Sequence, residues 1–353
     1  MRRNINYAAL IIAGGRSTRF WPVGRIDRPK SLFSITERNS LIIDTISRLQ
    51  PLVSVERIFV LVIKSQLLAF ETELKNIISP HNLIVEPEAR GTTVAIAYGL
   101  ATIAARCGKE TIVVVSPADH YVPQPAAFRT TIGKALRLAA NARAIVVIGI
   151  KPTRPETGYG YLKIGAPFGL GFKVARFIEK PPLEGARRMS SSGQFLWNAG
   201  IFVMNTTVLL MELRECSPAL AADVERFASM TPRQLTAAYT RFELASFDRE
   251  VAEKSSRLIG IQAAFEWHDV GSWHGLWLAM RGKGSNVTSD RVVIDDVEGV
   301  LARGGKRLMV LMGVKDLVAI DTDDVILIAS RSRSQEVPRV LEQLKKRGLQ
   351  AYL

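Results

Sequence analysis

The chain has 353 residues, 47% of them hydrophobic, and carries a formal net charge of +14. This length indicates about two domains, the apolar content is ample for a core, and no apolar run reaches the ~18 residues of a membrane span. The charge points to anionic partners such as nucleic acid, a membrane surface or phosphorylated metabolites, but no zinc-finger spacing and no RNA-binding aromatic signature accompanies it, so nucleic acid ranks last.

Arg2 and Arg3 precede a short apolar stretch with no small-residue cleavage site after it. The N-terminus therefore reads as mature and the protein as cytoplasmic. Cys107 and Cys216 lie far apart in helix-like contexts and read as buried thiols of a reducing compartment rather than as a disulfide.

In chain order, short β-branched runs at 8–12, 57–63, 82–85, 111–115 and 144–150 alternate with helix-length amphipathic segments at 40–49, 66–78, 92–107 and 126–140. Such alternation predicts βαβ units and a parallel sheet covered on both faces. Ligands of such sheets bind beyond the carboxyl ends of the strands. The loops at 16–30, 86–92 and 117–120 all follow strand ends, so one rim is expected to gather them. From 158 to 205 the pattern becomes strand-rich, with a short polar helix at 183–192. Helical segments run to about Phe247, followed by a strand, a turn and a helix up to Met280. "RGKGSN", Arg281 to Asn286, reads as a linker. Short strands at 292–294, 299–301, 307–311, 317–320 and 325–328 and an amphipathic helix at 334–346 complete the chain.

The first strand runs into "GGRSTRF", followed by "RPKS". This is neither the G-x-G-x-x-G dinucleotide fingerprint nor a P-loop. Adjacent glycines let backbone N–H groups approach a base or phosphate closely. Arg16, Arg19, Arg25, Arg28 and Lys30 supply cations that suit a triphosphate chain. The bland alternative is a glycine-rich turn with surface cations. The four histidines, His81, His120, His268 and His274, show no zinc spacing.

Further segments recur in order: "VEPEARGTT", "SPADHYVP", "PTRPETGYGYLKIG", "FIEKP", "FLWNAGIF", "SFDREVAEKS" and "FEWHDVGSW". With the opening stretch they cover about residues 7–280. Together they resemble the sugar-1-phosphate nucleotidyltransferases, and among these the guanylyl branch. The resemblance implies an α/β fold. A Rossmann-like catalytic domain with a mixed, mainly parallel sheet would span 1–282. A small β-rich, β-helix-like domain with a terminal helix would span 287–353. It implies transfer of GMP from GTP to α-D-mannose 1-phosphate, giving GDP-mannose and pyrophosphate by metal-assisted in-line attack on the α-phosphate, with Mg²⁺ as cofactor. The chemistry of the residues agrees. A phosphate monoester is already ionised near neutral pH, so alignment and charge neutralisation replace a general base. No nucleic acid or membrane partner is implied, and a homodimer is left open. The alternatives are another nucleotide and sugar-1-phosphate pair, or a non-catalytic paralogue that binds GDP-mannose.

The resemblance also implies residue roles. Ala13, Gly14 and Gly15 would meet the nucleotide by backbone, with Thr92 nearby. Arg19 and Lys30 would hold the β and γ phosphates and the leaving pyrophosphate. Asp119 and Asp269 would hold the metal, since Mg²⁺ takes one or two carboxylates beside phosphate and water oxygens. Gly160, Glu179, Lys180, Asn198 and Asp248 would surround the sugar phosphate, with Lys180 on the phosphate. Glu86 is expected to read guanine, because an ionised carboxylate accepts from both N1–H and N2–H₂. The chain departs from the family at Gly91–Val94, where Asn-Thr-Ala-Pro is usual, and at Ser31, where Gln is common.

Structural alternatives stand beside these roles. Gly160 would relieve a tight strand approach, Asn198 would be a buried amide satisfying backbone, and Asp248 would cap a helix. Glu86 would pair with Arg90, Asp119 would cap a turn and Asp269 would close the turn at Gly271. His120 and His268 are read as neighbours that orient the aspartates, and Trp267 and Trp273 as packing residues.

Overall fold

The computed structural model describes residues 6–15, 18–25, 28–35, 38–282 and 284–353; Arg2, Arg3 and Arg16 lie outside them. The chain folds into two compact units. One comprises the chain up to Gly14 with Thr45–Ala118 and Val122–Trp267, the other Gly15–Asp44 with Asp119–Tyr121 and His268–Leu353.

The first unit is built on one sheet. Its strands are β1 (Tyr7–Ile12), β2 (Ile58–Ile63), β3 (Leu83–Glu86), β4 (Ile112–Pro117), β5 (Ile145–Ile150), β6 (Tyr161–Phe168), β7 (Gly171–Ile178), β8 (Phe195–Met204) and β9 (Leu258–Gln262). Their order among the described residues is β3-β2-β1-β4-β8-β5-β9-β7-β6. The run β3-β2-β1-β4 is parallel throughout, and β5 is parallel to β9. Every residue of β5, and all but the last of β2 and β4, is buried. This is why these runs read as continuous apolar stretches rather than alternating ones. β8 runs antiparallel between β4 and β5, so the sheet is mixed. The helix Thr92–Cys107 packs on β1 so closely that a Cβ at Gly99 would lie 2.3 Å from Leu10. The segment expected as helix at 66–78 is shorter, Leu67–Leu74, with a turn after it. Cys107 and Cys216 are both free and only half-buried.

The second unit carries β10 (Val287–Thr288), β11 (Val292–Asp295), β12 (Leu301–Arg303), β13 (Met309–Met312), β14 (Leu317–Asp321) and β15 (Ile326–Ser330). β10, β12 and β14 pair in parallel from one coil to the next, as do β11 and β13, and antiparallel β15 closes the larger sheet. That is a small β-helix-like coil, finished by the helix Val337–Lys346. The segment Gly15–Asp44 belongs to this unit rather than to the strand it follows. Phe20, Trp21 and Phe33 share one apolar cluster with Trp273, Leu301, Ile320 and Leu341. The rings of Phe20 and Trp273 lie 4.8 Å apart, and the Trp273 indole N–H donates to the Trp21 carbonyl at 3.1 Å.

Candidate active site

In the second unit, Lys30 opens a single 3₁₀ turn, Lys30–Leu32, and is only 8% exposed. A buried ammonium is costly unless matched by acceptors. Lys30 Nζ donates to Asp119 Oδ2 at 3.0 Å and to the Asp269 carbonyl oxygen at 2.6 Å. It also lies 5.6 Å from the centre of the Phe20 ring. Asp119 and Asp269, remote in sequence, meet because Tyr121 and His268 form an antiparallel bridge. Both carboxylates thus leave adjacent backbone. His120, buried, places Nε2 3.7 Å from Asp269 Oδ1. Ligand atoms of Asp119, His120 and Asp269 all lie within 4.8 Å of one another. Burial, the largest single influence, would raise the Asp119 carboxyl, but the charges of Lys30 and His120 together with hydrogen bonds from Lys30 and from backbone hold it below the usual carboxylate range. Two carboxylates and an imidazole at this spacing fit a divalent cation.

Val270 follows Asp269 with φ +45°. A β-branched residue in the left-handed region is strained, and such strain gathers at functional sites. A Cβ at Gly271 would lie 3.3 Å from Asp269 Oδ2 and 3.7 Å from Arg19 Nη1, so the exposed Arg19 guanidinium borders the same group. Arg25, another cation of the opening segment, is used otherwise. It pairs with Asp324 at 2.7 Å and donates to the Pro22 and Tyr352 carbonyls.

The first unit gathers the residues expected around a sugar phosphate. The Asn198 N–H donates to the Gly160 carbonyl at 2.8 Å. Asn198 Nδ2 donates to Asp248 Oδ1 at 2.6 Å, and Asn198 Oδ1 accepts from the Gly200 N–H at 2.9 Å. A Cβ at Gly160 would stand 2.8 Å from Glu179 Oε2. Glu179 is paired with Lys180 at 3.1 Å. Gly160 therefore does relieve a close approach, and the group it makes room for is the Glu179 carboxylate. Asp248 is the first residue of the turn Asp248–Ala252, whose N-cap position is Phe247, and its carboxylate accepts from Asn198. Burial, and then the neighbouring Asp248 charge, raise the Glu179 pKa, and burial raises that of Asp248. Lys180 holds φ +47°, a second strained residue directly after a carboxylate of interest. A cavity of about 630 Å³ is lined by Glu179 and Lys180 together with Thr93, Ser246 and Arg249.

At the carboxyl end of β1, the Ala13 N–H donates to Leu61 O at 2.9 Å. Gly14 is exposed, and its Cβ position is 3.3 Å from Ile63 Cγ2. Gly15, also exposed, has open space at its Cβ position. Ile63 is level with Glu86 in the β2–β3 register, so Gly14 and Glu86 lie at the carboxyl ends of β1 and β3, on either side of β2. Glu86 is 4% exposed, and its Oε1 is buried with no hydrogen-bond partner. Burial pushes its pKa up to about 8. At neutral pH the carboxyl is then mostly protonated, not the acceptor-only carboxylate expected from its residue type, unless donors draw the pKa down. Arg90 does not pair with it; Arg90 holds Glu88 at 2.9 Å.

The glycine of the departure at Gly91–Val94 has a structural reason. Gly91 sits at φ +87°, and a Cβ there would be 2.2 Å from the Ala245 carbonyl oxygen. The Thr93 N–H donates to that oxygen at 3.3 Å, and Thr92 Oγ1 accepts from the Phe247 N–H at 2.8 Å. A neighbouring segment thus caps this helix start. Ser31, the other departure, is buried with its hydroxyl unpartnered. Trp267 and Trp273 are packed, as expected.

A sequence model of the nucleotidyl transferase family matches residues 8–285. The chain belongs to the nucleotidyl transferase family. A MannoseP isomerase/GMP-like beta-helix domain matches residues 290–344. The chain is 33% identical to the Xanthan biosynthesis protein XanB of Xanthomonas campestris pv. campestris (strain B100), over 96% of this chain and 73% of that protein. It is 32% identical to the mannose-1-phosphate guanylyltransferase of Escherichia coli (strain K12), again over 96% and 73%. A crystal structure described as mannose-1-phosphate geranyltransferase from Thermus thermophilus superimposes with a TM-score of 0.88 at 31% identity, covering 97% of this chain and all of that one. Among the described residues of this nucleotidyl transferase, no helix is long and apolar enough to cross a membrane.

Three features escape a reading of the sequence. His120 is expected as a neighbour that orients the aspartates, but that its ring joins them as a third candidate ligand is not. Arg249 and Ser246 line the cavity with Lys180; both lie in "SFDREVAEKS", where the resemblance implies a role for Asp248 alone. Tyr98 and Tyr239 lie near enough to Glu86 for its charge to raise both phenols further, after burial.

Proposed function

We propose that this nucleotidyl transferase transfers GMP from GTP to α-D-mannose 1-phosphate, releasing pyrophosphate and forming GDP-mannose. The observation that carries this reading is the bonded group of Gly160, Glu179, Lys180, Asn198 and Asp248, in a chain 32% identical to a mannose-1-phosphate guanylyltransferase. Residues 1–282 serve as the catalytic domain and 287–353 as the β-helix-like domain.

The roles follow from chemistry. Asn198, Glu179 and Asp248 offer a fixed amide and two carboxyls to sugar hydroxyls, and Lys180 meets the 1-phosphate. A phosphate oxygen of the sugar attacks the α-phosphorus of GTP, and the bond to the β-phosphate bridging oxygen breaks. Arg19 and Lys30 neutralise the departing pyrophosphate. Ala13, Gly14, Gly15 and Thr92 lie along the nucleotide, and Glu86 receives the base. Its partnerless Oε1 supports this, because donors from guanine would satisfy a buried acceptor and stabilise its ionised form. Asp119 and Asp269, with His120 beside them, would hold Mg²⁺. When bound, that ion supplies charge neutralisation between the two phosphates. We assign the protein to the cytoplasm, with no nucleic acid or membrane partner.

The test is pyrophosphate release across several nucleoside triphosphates and sugar 1-phosphates with Mg²⁺ present and absent. Preference for GTP with mannose 1-phosphate is expected. Clear preference for another pair would overturn the assignment, and tight GDP-mannose binding without turnover would favour a regulatory paralogue.

A further inference from the structure

We propose that the Lys30 ammonium and a divalent cation are alternative counter-ions of the Asp119 carboxylate, so that metal is taken up in company with a polyphosphate that draws Lys30 away. The part played by the polyphosphate rests on the reading given under Proposed function; the competition between Lys30 and metal rests on geometry alone.

Lys30 is 8% exposed, and Nζ is bonded to Asp119 Oδ2 at 3.0 Å and to the Asp269 carbonyl oxygen at 2.6 Å. Both anchors belong to the residues whose carboxylates, with His120, converge within 4.8 Å. The ammonium is thus built into the metal-binding group rather than set beside it. Charge bookkeeping gives the consequence. Two carboxylates and one ammonium leave a single negative charge when His120 is neutral, and the Arg19 guanidinium at the border of the group offsets it further. A divalent cation added to that group would convert it to a net positive one, with two cations a few ångströms apart. The unfavourable contact is relieved when Lys30 leaves Asp119. A lysine carries its charge on a flexible four-carbon stem and can follow a better anion. A triphosphate is such an anion, and it brings the negative charge that the metal and Lys30 then share.

The exchange makes metal affinity low without nucleotide and sets it by the charge at position 30. The experiment is titration of the full chain with Mn²⁺ alone, followed by electron paramagnetic resonance, with circular dichroism to confirm folding. Lys30→Met should bind Mn²⁺ about tenfold or more tightly than the unaltered chain. Lys30→Arg, which keeps the charge, should bind it as weakly as the unaltered chain. Lys30→Gln replaces Lys30→Met if the latter does not fold, with the same expectation. Unchanged or weaker Mn²⁺ binding in the folded neutral variant overturns the proposal. So does equal tightening in Lys30→Arg, which would show that charge is not the cause. Because neither GTP nor a sugar phosphate enters this titration, it stands or falls separately from the substrate panel.

Discussion

Tyr121 and His268 exchange both of their backbone hydrogen bonds, at 2.9 and 3.0 Å. This one bridge joins two segments remote in sequence and puts Asp119, two residues before Tyr121, beside Asp269, one residue after His268. Lys30 then ties both together through the Asp119 carboxylate and the Asp269 carbonyl.

Asp119→Asn and Asp269→Asn should each lower turnover on the order of 100-fold or more and move the Mg²⁺ dependence to higher concentration. Far-ultraviolet circular dichroism should be unchanged. A turn-capping role predicts mild effects instead, since Asn caps about as well as Asp. Near-normal rates with an unshifted Mg²⁺ titration in either variant would remove that residue from the metal group.

Asn198→Ala removes the amide between the Gly200 backbone and the Asp248 carboxylate. The loss should cost about 1–3 kcal/mol of stability and raise KM for mannose 1-phosphate well above any change in KM for GTP. Steady-state kinetics with each substrate varied in turn will separate the two. Equal effects on both substrates would argue that Asn198 only supports the backbone.

Glu86 gives a pH signature. Its pKa rises from 4.5 to about 8 through burial, so the folded state keeps the proton over a range in which the unfolded chain has lost it. Its favourable contribution is complete below about pH 4.5, declines as pH rises and is lost above about pH 8. Glu86→Gln mimics the protonated form at every pH. The stability of this variant relative to the unaltered chain should therefore grow between about pH 5 and pH 8, by an amount on the order of a few kcal/mol. Urea unfolding at several pH values measures it, and a pH-independent difference would contradict it. If Glu86 also receives guanine, the same variant should lose roughly tenfold or more in GTP use, with KM for mannose 1-phosphate nearly unchanged.

Gly91→Ala should destabilise the first unit severely, by roughly 3 kcal/mol or more, because backbone strain and a clash add. The added Cβ would lie 2.2 Å from the Ala245 carbonyl oxygen at a φ of +87°. Thermal or urea denaturation will show a lowered midpoint. An unchanged midpoint would mean that the Ala245 segment moves aside freely.

The sequence by itself determined the elements whose causes are local. β1, β2, β4 and β5 are runs dominated by Val, Ile, Leu and Ala, and such runs are legible because strands covered on both faces need mostly apolar residues. The helix Thr92–Cys107 was legible to the residue, bounded by Gly91 and Gly108. The family could be read from ordered motifs, because a site that handles phosphates and a sugar constrains residue types at each loop. Only the tertiary structure decided the rest. It set β8 antiparallel between β4 and β5 and assigned Gly15–Asp44 to the β-helical unit. It also turned Glu86 into a buried acid, gave Arg25 to Asp324, and pinned Lys30 between Asp119 and Asp269. These outcomes depend on which distant surfaces fit and which charges they bring together, and hydrophobic periodicity, a property of near neighbours, carries no record of either.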